Sequence, residues 1–146
     1  MPGFNFSLQK VLELRRQKEE QAQMALAASQ RRLKEKQAQL EELKQKLREC
    51  ETEFRSRKSL TRGDLWLWQQ YRFRLDAEIK ECAGIVSRIQ SKIDRQRREL
   101  VDRSKERELL EKYRDNQKKA FEYAQKQEEQ KDFDEIATTR YKNKSM

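Results

Sequence analysis

The sequence predicts an all-α protein: two long helices in an antiparallel coiled-coil hairpin, the second helix longer than the first. Three observations carry that expectation. Helix breakers are almost absent, with three glycines and one proline in 146 residues. Apolar residues recur at the alternating three- and four-residue spacing of a left-handed coiled coil. One short break, Arg57-Lys58-Ser59-Leu60-Thr61-Arg62-Gly63-Asp64, interrupts the pattern. Hydrophobic residues are 34% and charged residues 42%. That is too little apolar material for a layered core, but it suits a long helical seam.

Residues 1–6, Met-Pro-Gly-Phe-Asn-Phe, lead into the first helix. Ser7 is the expected N-cap, with Phe6 and Val11 as a hydrophobic staple around it. The helix is placed at about 7–57. Its seam series are Leu12, Glu19, Leu26, Leu33, Leu40, Leu47, Phe54 and Leu8, Arg15, Ala22, Ser29, Lys36, Leu43, Cys50. Arg55, Arg57 and Lys58 suit the negative end of the helix dipole. A turn at about 58–61 follows. Thr61 and Asp64 then have the spacing of a capping box, with Leu60 and Leu65 as a second staple. Arg62-Gly63-Asp64, an adhesion tripeptide by its letters, reads as part of this capped turn.

The second helix is placed at about 62–138, followed by a disordered tail at about 139–146. Its series are Leu65, Arg72, Ile79, Val86, Ile93, Leu100, Arg107, Arg114, Phe121 and Trp68, Leu75, Cys82, Ile89, Gln96, Arg103, Leu110, Gln117, Ala124. Folding back at the break pairs Phe54 with Trp68, Leu47 with Leu75, Leu43 with Ile79, Leu40 with Cys82, Leu33 with Ile89 and Leu12 with Leu110. It also pairs Arg15 with Arg107 and Glu19 with Arg103, so the end bearing the termini is expected to be loosely held and frayed. Cys50 and Cys82 fall roughly 15 Å apart along the axis. That is too far for a disulfide, and free thiols are expected. Gly84 implies a close helix approach or a slight bend.

The first helix should cover the second only to about residue 115. The remainder, with Phe121, Tyr123, Ala124, Phe133 and Ile136, would project without an internal partner and so implies an external one. After the break, Trp68 and Tyr71 fit the seam side. Trp66 and Phe73 then form an exposed aromatic patch suited to a protein partner.

Several function classes are disfavoured. There is no histidine, and the two cysteines lack zinc-type spacing. The glycines Gly3, Gly63 and Gly84 are isolated, so there is no phosphate loop. Nothing predicts a pocket in which a carboxylate could be tuned. An enzyme, a cofactor, a metal site and a small-molecule substrate are therefore not expected. No apolar run is long enough to cross a membrane, and no export signal is read at the N-terminus, so a cytoplasmic location is expected. Net charge is +9, but the signs interleave along both helices, as on a solvated surface of paired charges.

Three motifs carry a resemblance that spans nearly the whole chain. Phe4-x-Phe6-x-Leu8-x-x-Val11-Leu12-x-x-Arg15, followed by Glu19 and Ala22, resembles the opening of the FliJ family, small components of the flagellar type III export apparatus. Trp68-Gln69-Gln70-Tyr71-x-x-x-Leu75 resembles the start of that family's second helix. Gln130-Lys131-Asp132-Phe133-Asp134-Glu135-Ile136-Ala137-x-x-Arg140 is similar to its C-terminal signature.

The resemblance implies a two-helix stalk like the γ subunit of rotary ATPases. Its open end would enter the hexameric export ATPase ring through Phe4, Phe6, Leu8, Leu12, Arg15, Phe133, Asp134, Glu135, Ile136 and Arg140. Its loop-proximal part would contact the cytoplasmic domain of the membrane export gate through Leu47, Phe54, Tyr71 and Leu75, near Trp66 and Phe73. It would also cycle export chaperones, at the cytoplasmic face of the inner-membrane export apparatus.

The alternatives are a virulence-type secretion stalk, a nucleic-acid-binding coiled coil and a structural dimer or filament. The nucleic-acid reading would use Arg88, Lys92, Arg95, Arg97, Arg98 and Arg103. Asp94, Glu99 and Asp102 interrupt that stretch, so nucleic acid is not the expected partner.

Overall fold

The computed structural model of the protein describes residues 3–144. Helix α1 spans Gln9–Ser56 (48 residues) and α2 spans Arg62–Lys144 (83 residues). Together they form the antiparallel coiled-coil hairpin, with the second helix the longer. The chain divides into two compact units. A loop unit covers Glu20–Val101, and a terminal unit combines Met1–Glu19 with Asp102–Met146.

In the loop unit the heptad positions face inward. Leu26, Leu33, Leu40, Leu43, Leu47 and Phe54 are half-buried on α1. Leu75, Cys82, Val86, Ile89 and Ile93 are buried on α2. Phe54 stacks on Trp68 with ring centroids 4.3 Å apart, the pair the register predicts. Cys50 and Cys82 are free thiols, as expected. The Cys82 thiol donates to the Lys36 carbonyl at 3.5 Å. Two seam positions depart from the pattern. Leu65 is exposed, because the residue facing it, Arg57, lies beyond the end of α1. Arg72 keeps to the surface, over the Trp68 ring at 5.2 Å and 3.7 Å from Glu51.

The turn is built from local hydrogen bonds. Ser56 Oγ donates to the Glu53 carbonyl (2.7 Å), and Arg57 N–H donates to the Phe54 carbonyl (3.4 Å), which closes α1. The capping box opens α2. Asp64 N–H donates to Thr61 Oγ1 at 3.1 Å, and Thr61 N–H donates to Asp64 Oδ2 at 3.2 Å. The Thr61 backbone N–H first, and then the Thr61 side chain, hold the Asp64 carboxyl below the usual aspartate range. Leu60 and Leu65 both stay exposed, so the expected staple does not close.

In the terminal unit the packing corrects the expectation of a loose, frayed end. Leu12 is fully buried (0% exposed), the most enclosed large side chain among the described residues. It joins Phe6 and Leu110 in a core against which Phe4 packs. Phe6 also meets Tyr113 (6.1 Å), and Phe4 meets Phe121 (5.7 Å). The lead-in thus adds two aromatic side chains that no heptad position represents.

The like-charge pair Arg15–Arg107 does not form. Arg107 pairs with Glu19 and, at 2.8 Å, with Glu111, and Arg16 holds Glu111 at 3.1 Å. Arg15 Nη1 donates instead to the Glu106 carbonyl at 2.8 Å. Arg103, expected opposite Glu19, pairs with Glu106 at 3.4 Å. Long side chains reach a turn along the facing helix, so they escape the direct clash that straight pairing implies.

The start of α1 also shifts. Gln9 N–H donates to the Phe6 carbonyl (3.2 Å), and Leu12 N–H to the Leu8 carbonyl (3.0 Å). The cap position therefore falls on Leu8. The Ser7 hydroxyl has no hydrogen bond among the described residues. Burial of Phe6 fixes a turn there, and Val11 remains exposed. At the other terminus α2 continues to Lys144, past the end expected near 138. Of the tail expected at 139–146, residues 145 and 146 lie outside the described residues.

Gly84 is not a close-approach site. A Cβ built there meets no atom within 4 Å. Gly84→Ala should therefore raise stability by about 1 kcal/mol, the helix-interior difference between the two residues. A lowered melting temperature would contradict the open environment.

The capping box gives a pH dependence of known sign. Because the Asp64 pKa is lowered on folding, its contribution is complete above the ordinary aspartate value, about 3.9. It is lost as pH falls through the depressed value. Asp64→Asn should remove that component of acid destabilisation, read as a smaller drop in melting temperature between neutral pH and pH of about 3.

Candidate functional site

Two surfaces carry side chains that the hairpin does not use for itself. The first is on the terminal unit. Beyond Phe121 the side chains of α2 are exposed, apart from the half-buried Gln125, as far as Lys144. The projecting length is roughly 35 Å at 1.5 Å per residue. Phe133 (68% exposed), Ile136 (51%) and Arg140 lie at i, i+3 and i+7, on one face of the helix. Tyr123 and Tyr141 flank that face and are also exposed. Local bonds steady the segment. Gln127 donates to the Tyr123 hydroxyl (2.9 Å), Gln130 to Asp134 Oδ1 (3.2 Å) and the Thr138 hydroxyl to the Asp134 carbonyl (2.7 Å).

The ring-facing set expected from sequence separates into two groups. Phe6 and Leu12 are buried, Phe4 is half-buried against Phe121, and Arg15 is engaged with the Glu106 carbonyl. Of the N-terminal members only Leu8 is exposed, at 37%. Phe133, Asp134, Glu135, Ile136 and Arg140 are all exposed on the overhang. The groups do not meet: the lead-in reaches Phe121, roughly 18 Å short of Phe133 along the helix.

Beside the core, Arg107, Glu19, Glu111 and Arg16 form a continuous charged chain. The Glu19 hydrogen bond raises the Arg107 pKa. Burial pushes the Glu111 carboxyl up, but the hydrogen bond from Arg16 and the charge of Arg107 bring it below the usual glutamate range. Each charge is compensated within the unit, so this chain braces the hairpin and offers no free charge to a reaction.

The second surface is on the loop unit. Leu75 is buried, and Leu47 and Phe54 are half-buried, so these three members of the expected gate-facing set belong to the seam. Trp66 (59% exposed) and Phe73 (75%) form the outward aromatic patch, as their helical spacing predicts. Tyr71, placed on the seam side, is more exposed than that implies. It borders a shallow cavity with Cys50, Glu53, Phe54, Arg57, Leu67 and Trp68. Leu67 is also exposed. Heptad spacing could have singled it out, since it falls in neither seam series.

Among the described residues no three His, Cys, Asp or Glu side chains come together as a metal site. No helix there is long and apolar enough to cross a membrane.

Side-chain truncation should separate structural from surface residues. Leu12→Ala should destabilise the protein by about 2–5 kcal/mol, as for a fully enclosed leucine. Phe133→Ala should change stability by less than about 0.5 kcal/mol. Chemical denaturation of the two variants checks this; equal losses would mean that Phe133 is packed in solution.

Comparison with known proteins returned one family. The model of the flagellar FliJ protein family matches residues 4–145. No curated protein and no solved structure matches the chain.

Proposed function

We infer the function from one premise: the chain belongs to the flagellar FliJ protein family, and it is therefore a flagellar export-related protein. Within that role, we propose that it is the non-enzymatic stalk of the export apparatus. Its terminal unit would insert into the hexameric export ATPase ring, and its loop unit would contact the cytoplasmic domain of the export gate. Escort or recycling of export chaperones, and a cytoplasmic position at the inner-membrane apparatus, belong to the same reading. No cofactor, small-molecule substrate or nucleic acid takes part.

The observation that carries this proposal is the overhang. It presents Phe133, Ile136 and Arg140 on one exposed face, continuous with a stem whose core is closed by Leu12, Phe6 and Leu110. An apolar stripe with a terminal cation suits insertion between protein subunits. The buried members of the ring-facing set, Phe6 and Leu12, would serve by keeping the stem rigid. Trp66 and Phe73, with Tyr71 beside them, supply the aromatic anchors of the gate-facing surface.

Truncation from Phe133 onward should leave the stem helical by circular dichroism and abolish binding to the purified export ATPase. The full-length triple variant Phe133→Ala, Ile136→Ala, Arg140→Ala should weaken that binding by about 2 kcal/mol or more, the loss expected at an interface hot spot. Undiminished ATPase binding by both variants would refute the assignment of the overhang.

A further inference from the structure

The loop unit contains a groove in which cations collect. Arg32 from α1 and Arg88, Lys92 and Arg95 from α2 line it, together with Ile85 and Ile89. Many arginines elsewhere find a carboxylate: Arg72 reaches Glu51 and Asp76, Arg97 reaches Asp94, and Arg107 reaches Glu19 and Glu111. None of the four groove cations has an acidic partner among the described residues. All four are exposed. Arg88, Lys92 and Arg95 follow the spacing i, i+4, i+7, so they form one stripe along α2.

The overhang carries the opposite stripe. Glu128, Asp132 and Glu135 are spaced i, i+4, i+7, are exposed, and have no cationic partner among the described residues. Ile136 stands one turn beyond Asp132 and beside that stripe. Two helices laid side by side in the same direction, offset by 40 residues, bring Arg88 to Glu128, Lys92 to Asp132 and Arg95 to Glu135. Both stripes lie on α2, so one α2 helix cannot supply both sides of the contact.

We propose that the Glu128, Asp132 and Glu135 stripe on the overhang of a second copy of this chain docks in the basic groove. The contact is heterologous: each copy still offers one free groove and one free overhang, so association continues beyond the dimer. It is held mainly by exposed charge pairs, so it weakens as salt shortens the screening length from about 10 Å at 0.1 M to about 3 Å at 1 M. The overhang is the element assigned above to the ATPase. Self-docking would therefore compete with ring binding and hold unengaged copies together. The inference itself rests only on the two stripes and not on the ATPase assignment.

Sedimentation of the full-length protein alone, treated with nuclease, tests it. The wild type should show a mass that grows with concentration at low salt and returns to monomer at high salt. Reversing the groove (R88E, K92E, R95E) or the overhang (E128K, D132K, E135K) should each weaken association about tenfold or more, a change of 1.4 kcal/mol or above. An equimolar mixture of the two variants should restore it, because each then presents the charge the other lacks. All six positions are exposed, so helicity should be unchanged. A wild type that stays monomeric at low salt would overturn the proposal. So would association that survives either reversal, that the mixture fails to restore, or that vanishes with nuclease. The last result would assign the groove to nucleic acid.

Discussion

The reciprocal pair of hydrogen bonds between Thr61 and Asp64 sets the frame for the rest of the structure. It fixes the residue at which α2 begins, a few residues after α1 has ended at Ser56. In a hairpin with a seven-residue repeat, that start determines which side chains meet. Slipping the turn by one residue would rotate every seam position by about 100°. In the loop unit the outcome is Phe54 on Trp68, and in the terminal unit it is Leu12 with Leu110. Neither the Thr61 hydroxyl nor the Asp64 carboxylate is buried, so a surface interaction governs which apolar residues are enclosed.

Two helices enclose less than a bundle does, and the burial pattern reflects it. In the loop unit α2 has five buried apolar residues, while the facing leucines of α1 are only half-buried. The terminal unit reaches fuller enclosure because a third piece of chain takes part. Phe4 and Phe6 approach from outside the helix and lie against Phe121 and Tyr113. That added layer leaves Leu12 fully buried in a protein with 42% charged residues.

Periodicity made the seam legible. Nearly every position assigned to it between Leu12 and Phe121 is buried or half-buried, and the free cysteines follow from the same register. Spacing could not show what lies off the repeat. Phe4 and Phe6 precede the helix, so their part in the core had no periodic signal. Arg15 and Arg107 share a seam level, yet Arg15 turns to the neighbouring Glu106 carbonyl and Arg107 reaches Glu19 and Glu111 a turn away, an outcome set by side-chain length rather than position. Leu65 occupies a seam position where α1 has already ended, and Arg72, still opposite α1, keeps its charge at the surface beside Trp68 and Glu51. In the candidate sites, exposure of Phe133, Ile136, Trp66 and Phe73 was legible because the first helix is short and because helical geometry separates faces. The burial of Phe6, matched by motif to a binding role, was not; Leu12 carried both a seam position and a motif match, and it is buried as the seam position expects.

The overhang shows how the packed stem makes an exposed surface possible. A free helix of this length is marginal in water because its first turn is costly to form. Here the first turn lies far upstream, capped by Thr61, and α2 is continuous through the core around Leu110 to Lys144. The overhang needs only propagation, which adds a backbone hydrogen bond for each residue fixed. Bonds such as Gln127 to Tyr123 and Gln130 to Asp134 add to this without using Phe133 or Ile136. The helix is thereby held in shape while its apolar face stays free. A partner that binds this face meets a segment already ordered, which lowers the conformational entropy lost on binding. Rigidity of the stem and availability of the surface are consequences of one continuous helix.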